Sequence, residues 1–162
     1  MIPGAPEGFV AYSSPVNFFN NYANGLSAIN PPWSQLTAYD LNSGKILWQV
    51  PDGEIANLPG GKTEQGSFAP RGGVAATGGG LLFVGTSSDR KLRAYDQDTG
   101  KVLWSMDVGA AVEGVPAVYE QGGRQFVVFC VGGGRGLFAP RGVGMTADPG
   151  PAQYIALALP RR

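Results

Sequence analysis

Apolar and polar residues alternate over short stretches of this chain, and Gly or Pro interrupts nearly every stretch. Residues Leu92–Asp96 alternate as a strand, Asp98–Gly100 has the composition of a turn, and Lys101–Met106 forms a second alternating stretch. A period of two residues is typical of strands, and no segment has the period of an amphipathic helix. The pattern therefore predicts an all-β fold of short antiparallel strands.

One segment of the chain is present twice. Leu36–Trp48 is repeated 56 residues later as Leu92–Trp104, and both copies contain Ala-Tyr-Asp-x-x-x-Gly-Lys-x-Leu-Trp. A repeat of this length, built from strands around a turn, is typical of a β-propeller blade. The glycines of the two copies, Gly44 and Gly100, should supply the positive φ of a tight hairpin. The Trp that ends each copy should pack against a neighbouring blade.

The strand count predicts a single partial β-propeller domain with two to three four-stranded antiparallel blades. Residues 1–50 give most of one blade, 73–108 one complete blade, and 114–160 three strands of a further blade. Closed propellers have about four to eight blades. We therefore expect the chain to associate with the remaining blades or with another copy of itself. The strands predicted outside the repeat are Phe9–Ser13, Gly73–Thr77, Leu81–Thr86, Val115–Tyr119, Gln125–Val131 and Tyr154–Leu159.

Composition and charge exclude several classes of function. The 162 residues include 26 Gly and 13 Pro, as expected for many turns. Twelve basic and twelve acidic residues cancel, so the chain lacks the positive charge of a nucleic-acid-binding protein. No apolar run approaches the roughly 18 residues of a membrane span. The N-terminal residues lack the basic and apolar regions of a signal peptide.

Histidine is absent from the sequence. A Ser-His-Asp triad, a Cys-His dyad and a zinc site with His ligands are therefore excluded within this chain. The only cysteine, Cys130, lies in the apolar run Phe126–Val131, which favours a buried small hydrophobic residue over a reactive thiol. Asp40 and Asp96 occupy equivalent turns and are expected to accept hydrogen bonds from turn amides. Catalysis would need other carboxylates, a cofactor or residues of another chain.

The repeated motif resembles the tryptophan-docking motif of quinoprotein dehydrogenases, which are propellers that use pyrroloquinoline quinone (PQQ). The order of Asn30–Asp40, Arg71–Thr86, Gly114–Glu120 and Tyr154–Pro160 is similar to the C-terminal end of membrane-type glucose and related sugar or alcohol dehydrogenases. The resemblance implies an eight-bladed periplasmic propeller that binds PQQ, with Ca²⁺, in a central funnel. It implies oxidation of a sugar or an alcohol, with electrons passed to a quinone or a cytochrome.

The resemblance also indicates which functional residues this chain carries. In the family, the catalytic Asp and the metal ligands lie on blades N-terminal to the matching region. We therefore assign no catalytic residue and no metal ligand here, and expect the piece alone to be inactive. Two segments match parts that approach the cofactor, and their residues are Arg71, Gly72, Gly73, Gly132, Gly133, Gly134, Arg135 and Gly136.

The chemistry of these two segments leaves alternatives open. Glycine lets backbone amides approach a cofactor, and Arg71 or Arg135 is a candidate partner for a quinone carboxylate. The alternative is a solvated loop arginine. Relatives often have Trp or Asn before the first glycine pair and Gly-Gly-His in the second segment, which this chain lacks. A non-catalytic quinoprotein-like scaffold for protein partners is therefore a second candidate function. Trp33 either lines the funnel or caps the edge of a blade.

Overall fold

The computed structural model describes residues 29–55, 58, 64–67, 72–132 and 152–158, and these residues form three antiparallel sheets. The first sheet contains β1 and β2, the second has the order β3-β4-β5-β6, and the third has the order β7-β8-β9. The all-β, partial-propeller prediction is confirmed. The strands are β1 (Gln35–Tyr39), β2 (Ile46–Pro51), β3 (Val74–Ala76), β4 (Leu81–Gly85), β5 (Lys91–Asp96), β6 (Val102–Asp107), β7 (Val112–Gln121), β8 (Arg124–Val131) and β9 (Gln153–Ala158).

Two parts of the sequence-based description remain predictions. The strand predicted at Phe9–Ser13 lies outside the described residues. The division of the chain into blades at residues 50, 73, 108 and 114 also stays a prediction.

The two copies of the repeat fold in the same way. The β1–β2 and β5–β6 pairs each contain a bulge, after Ala38 and after Ala94. Gly44 and Gly100 have φ values of 69° and 70°, which confirms the predicted turns. The Asp96 carboxylate accepts hydrogen bonds from the Thr99 hydroxyl and from the amides of Thr99 and Asp98. These bonds keep the pKa of Asp96 below its ordinary value, because they favour the ionised form.

The tryptophan that ends the first copy joins the first sheet to the second. The Trp48 indole N–H donates to the Gln97 carbonyl oxygen at 3.0 Å. Its ring lies so close to Gly100 that a Cβ there would be 2.7 Å from Cε3 of the ring. The predicted packing is confirmed for Trp48. Trp104, at the equivalent position of the second copy, is 39% exposed in the described structure.

Alanine at Gly100 should destabilise the chain more than alanine at Gly44. Both substitutions place a side chain at positive φ, which costs roughly 1–2 kcal/mol. Only Gly100→Ala also pushes a methyl group into the Trp48 ring, which should add about 1–3 kcal/mol. Nothing lies within 4 Å of a Cβ at Gly44, so Gly44→Ala is the matched control. Urea unfolding of both variants measures the difference, and equal losses would contradict the docking contact.

The apolar core lies between the second and third sheets. Leu92 of β5 packs with Val112 of β7 and with Phe129 and Val131 of β8, and all four side chains are almost completely buried. Cys130 lies between the last two and is exposed. The prediction that Cys130 is buried was wrong, because successive residues of a strand point to opposite faces. Phe129 and Val131 take the core face of β8, which leaves Cys130 on the other face.

Candidate functional site

The first predicted glycine pair lies where the segment before β3 contacts β7. Gly72 forms a parallel bridge with Gly114, and the Gly73 amide donates to the Gly114 carbonyl oxygen at 3.2 Å. A Cβ on Gly72 would lie 2.7 Å from the Gly85 carbonyl oxygen, and one on Gly73 would lie 2.5 Å from a Val115 methyl group. The close approach of this segment to β4 and β7 is therefore sufficient to explain why both positions are glycine.

Gly132 lies at the same end of the sheets. Its amide donates to the Ala111 carbonyl oxygen at 2.7 Å, directly beyond the Val112–Val131 pair of β7 and β8. The described members of the predicted set, Gly72, Gly73 and Gly132, are thus together at the end where β3 and β7 begin. The other members lie outside the described residues, and they are Arg71, Gly133, Gly134, Arg135 and Gly136.

The backbone of two glycines is exposed at this end of the sheets. Gly72 and Gly114 are both exposed, and a Cβ at Gly114 would meet open space. Among the described residues there is no group of three or more His, Cys, Asp or Glu side chains placed to hold a metal ion.

A buried polar cluster that was not predicted from the sequence lies between the first and second sheets. We call it the polar junction, and its members are Asp52, Thr86, Asp89, Arg93 and Tyr95. Arg93 forms an ion pair with Asp89 and donates from Nη1 to the Thr86 hydroxyl at 2.8 Å. The Thr86 hydroxyl also donates to Asp89. The Glu54 amide donates to Oδ2 of Asp89 at 3.0 Å, which links the end of β2 to the β4–β5 turn.

The electrostatics of the polar junction centre on Asp52. Burial raises the pKa of Asp52 to about 6, although the Arg93 guanidinium opposes the rise and the Tyr95 hydroxyl donates a hydrogen bond. Asp89 raises it further by like-charge repulsion. Burial, followed by the nearby Asp52 carboxylate, also raises the pKa of Tyr95. The junction therefore favours the neutral forms of Asp52 and Tyr95 more than water does, so that Asp52 still ionises above about pH 6.

The sequence carried one signal for this cluster. Arg93 stands in β5 between the buried residues Leu92 and Ala94, where the first copy of the repeat has Thr37. An arginine inside an apolar strand is seldom buried without a partner, and Asp89 precedes it by four residues. Burial on both faces of β5 became visible only in the structure, because the second sheet has a neighbour on each side.

The comparisons with known proteins identify the family. Residues 6–127 match the PQQ family described as glucose/ethanol/alcohol dehydrogenase, β-propeller domain. The chain belongs to this family. The predicted resemblance to PQQ-dependent dehydrogenases is thereby confirmed. Within the described part of the chain, no helix is long and apolar enough to cross a membrane.

Individual relatives support the assignment and show how little of them the chain spans. The chain is 36% identical over 143 residues to the glycerol dehydrogenase large subunit of Gluconobacter thailandicus, matching 85% of this chain and 19% of that protein. It is 33% identical over 110 residues to the quinoprotein glucose dehydrogenase of Gluconobacter oxydans, matching 64% of this chain and 14% of that protein. The chain therefore spans about a fifth or less of the length of these curated relatives.

A solved structure agrees with the fold. The quinohemoprotein alcohol dehydrogenase of Comamonas testosteroni superimposes with a TM-score of 0.56 and 29% sequence identity. The match covers 76% of this chain and 16% of that chain. The sheets described above therefore correspond to a small part of a larger propeller protein.

Proposed function

We propose that this chain supplies the C-terminal blades of a PQQ-dependent dehydrogenase that oxidises a sugar or an alcohol and passes electrons to a quinone or a cytochrome. The observation that carries the proposal is the family match over residues 6–127. Relatives described as glycerol, glucose and alcohol dehydrogenases support this substrate class. The remaining blades would supply the catalytic base and the Ca²⁺ ligands, so the chain alone would be inactive. A periplasmic location follows from the same family assignment.

The chain would contribute one edge of the cofactor site. Bound PQQ would supply the two-electron acceptor for the oxidation. Gly72, Gly73 and Gly132 lie at one end of the sheets, where exposed backbone permits close approach. Arg71 and Arg135 would complete this edge, because a guanidinium group matches a carboxylate in geometry and charge.

Association with further blades is the second part of the proposal. The third sheet ends at β9, which pairs with β8 only in the described residues. Unpaired strand edges favour the addition of another strand. Trp104 of β6 in the second sheet is 39% exposed, whereas its counterpart Trp48 is docked on a neighbouring turn. The remaining blades of the propeller would cover both features.

The cofactor assignment predicts that the arginines contribute to PQQ binding. Titration of the full chain with PQQ and Ca²⁺, followed by tryptophan fluorescence, should give saturable binding. Arg71→Gln and Arg135→Gln should each weaken the affinity about tenfold or more, the value expected for one hydrogen bond between charged groups. Arg124→Gln is the matched control, because Arg124 begins β8 at the end opposite Gly132. It should leave the affinity unchanged.

Other outcomes of the titration have clear meanings. Saturable binding that survives both substitutions would show that PQQ is held without the arginine contacts. The proposed role of the arginines would then be wrong, whereas the proposal that the chain binds PQQ would stand. No binding by a chain that melts cooperatively would show that this edge alone does not hold PQQ, and would leave both a fragment whose site lies on the remaining blades and a scaffold.

A further inference from the structure

The polar junction holds an unequal number of buried charges. Asp52, Asp89 and Arg93 are each less than 10% exposed, so two carboxylates face one guanidinium group. Arg93 is already engaged by Asp89 and by the Thr86 hydroxyl. Oδ1 of Asp52 has no hydrogen-bond partner in the described structure. An ionised carboxylate without a full partner is costly to bury, whereas a protonated one is much less so.

Asp52 stands at the contact between the first and second sheets. It follows β2, and its carbonyl oxygen accepts hydrogen bonds from the Ser67 amide and the Ser34 hydroxyl. Its side chain meets the Tyr95 hydroxyl of β5. The charged and titratable groups that act on it are Arg93 and Tyr95 from β5 and Asp89 from the β4–β5 turn. A charge on Asp52 is therefore placed where the two sheets pack together.

We propose that the contact between the first and second sheets is controlled by a proton on Asp52, so that the sheets are held tightly when Asp52 is neutral and loosen when it ionises. The inference concerns the stability of the propeller and does not depend on PQQ or on a substrate. It makes the polar junction a pH-sensitive device within the fold.

The sign of the effect follows from the raised pKa. The folded form binds the Asp52 proton with a pKa of about 6, against an ordinary value of 3.8. Between these values the closed form binds more protons than the open form, so its stability decreases as pH rises. The decrease is complete once pH exceeds the folded pKa. From about pH 4.5 to about pH 7.5 the closed-to-open ratio should fall roughly 20-fold.

Hydrogen exchange of the full chain can test this prediction. The Trp48 indole N–H crosses the contact to Gln97, and the Glu54 amide crosses it to Asp89. Protection factors of these two protons, corrected for intrinsic exchange, should fall roughly 20-fold over this pH range. Asp52→Asn should abolish the decrease, because the amide stays neutral. Asp40→Asn removes a carboxylate from the turn of the first sheet and should leave the decrease unchanged.

Three results would overturn the proposal. Wild-type protection that does not change with pH would show that Asp52 ionisation does not open the contact. A decrease that persists in Asp52→Asn would assign it to another group. The carbon-13 chemical shift of the Asp52 side-chain carboxyl carbon, followed against pH by NMR, provides a second readout in the wild-type chain. An ordinary pKa near 3.8 there would also reject the proposal.

Discussion

Replacing Arg93 by methionine should lower the free energy of unfolding by about 3–5 kcal/mol, because it removes the guanidinium group that faces two buried carboxylates in the polar junction. Methionine retains much of the side-chain volume, so the loss measures charge rather than a cavity. Arg93 also lowers the pKa of Asp52. Its removal should therefore cost more at pH 7 than at pH 5, and urea unfolding at both pH values measures the difference.

A double substitution separates lost charge balance from general damage. Asp89→Asn removes the partner of Arg93. The Arg93→Met/Asp89→Asn variant lacks both the Arg93 guanidinium and the Asp89 carboxylate. Position 89 therefore carries no buried charge without a partner. The double variant should therefore recover part of the stability lost in Arg93→Met alone. Simple addition of the two single losses would contradict the coupling between these residues.

Replacing Phe129 by alanine should cost about 3–5 kcal/mol of unfolding free energy, the range for a large side chain removed from a packed core. Phe129 is only 1% exposed and lies in the cluster with Leu92, Val112 and Val131. Because this cluster joins the second sheet to the third, the substitution should loosen both sheets. Thermal unfolding followed by circular dichroism measures the loss.

Phe126 provides the matched aromatic control on the same strand. It is half-buried and stacks on Tyr119, with ring centroids 5.2 Å apart. Such a pair contributes roughly 0.5–1.5 kcal/mol beyond area burial. Phe126→Ala should therefore cost clearly less than Phe129→Ala. Similar losses would show that the core does not lie where the second and third sheets meet.

The features set by local sequence were predictable. The repeated Asp-x-x-x-Gly turn fixes its own geometry, because Asp96 binds the turn amides and Gly100 adopts a positive φ. The docking of Trp48 also followed from the repeat, since a large aromatic at the end of each copy needs a neighbouring surface. The family resemblance came from an ordered set of such segments, and the family match agrees with it.

Features that depend on which sheet covers which face were not predictable from one sequence. An apolar run around Cys130 predicted burial, yet only alternate residues of β8 face the core. Tyr39 and Tyr95 occupy equivalent positions of the repeat, but Tyr39 is 55% exposed and Tyr95 is 1% exposed. The difference arises because Tyr95 is covered by the segment that follows β2. The polar junction therefore depends on tertiary packing rather than on local pattern.

If this chain is a working part of a PQQ-dependent propeller, it should function in place of the matching segment of a related enzyme, and a chimera provides this test. The segment of the Comamonas testosteroni alcohol dehydrogenase that superimposes on this chain would be replaced by the chain itself. We predict PQQ-dependent alcohol oxidation by the chimera, and none by the isolated chain or by the dehydrogenase lacking the segment. A chimera that melts cooperatively like its parent, but neither binds PQQ nor oxidises alcohol, would contradict the claim.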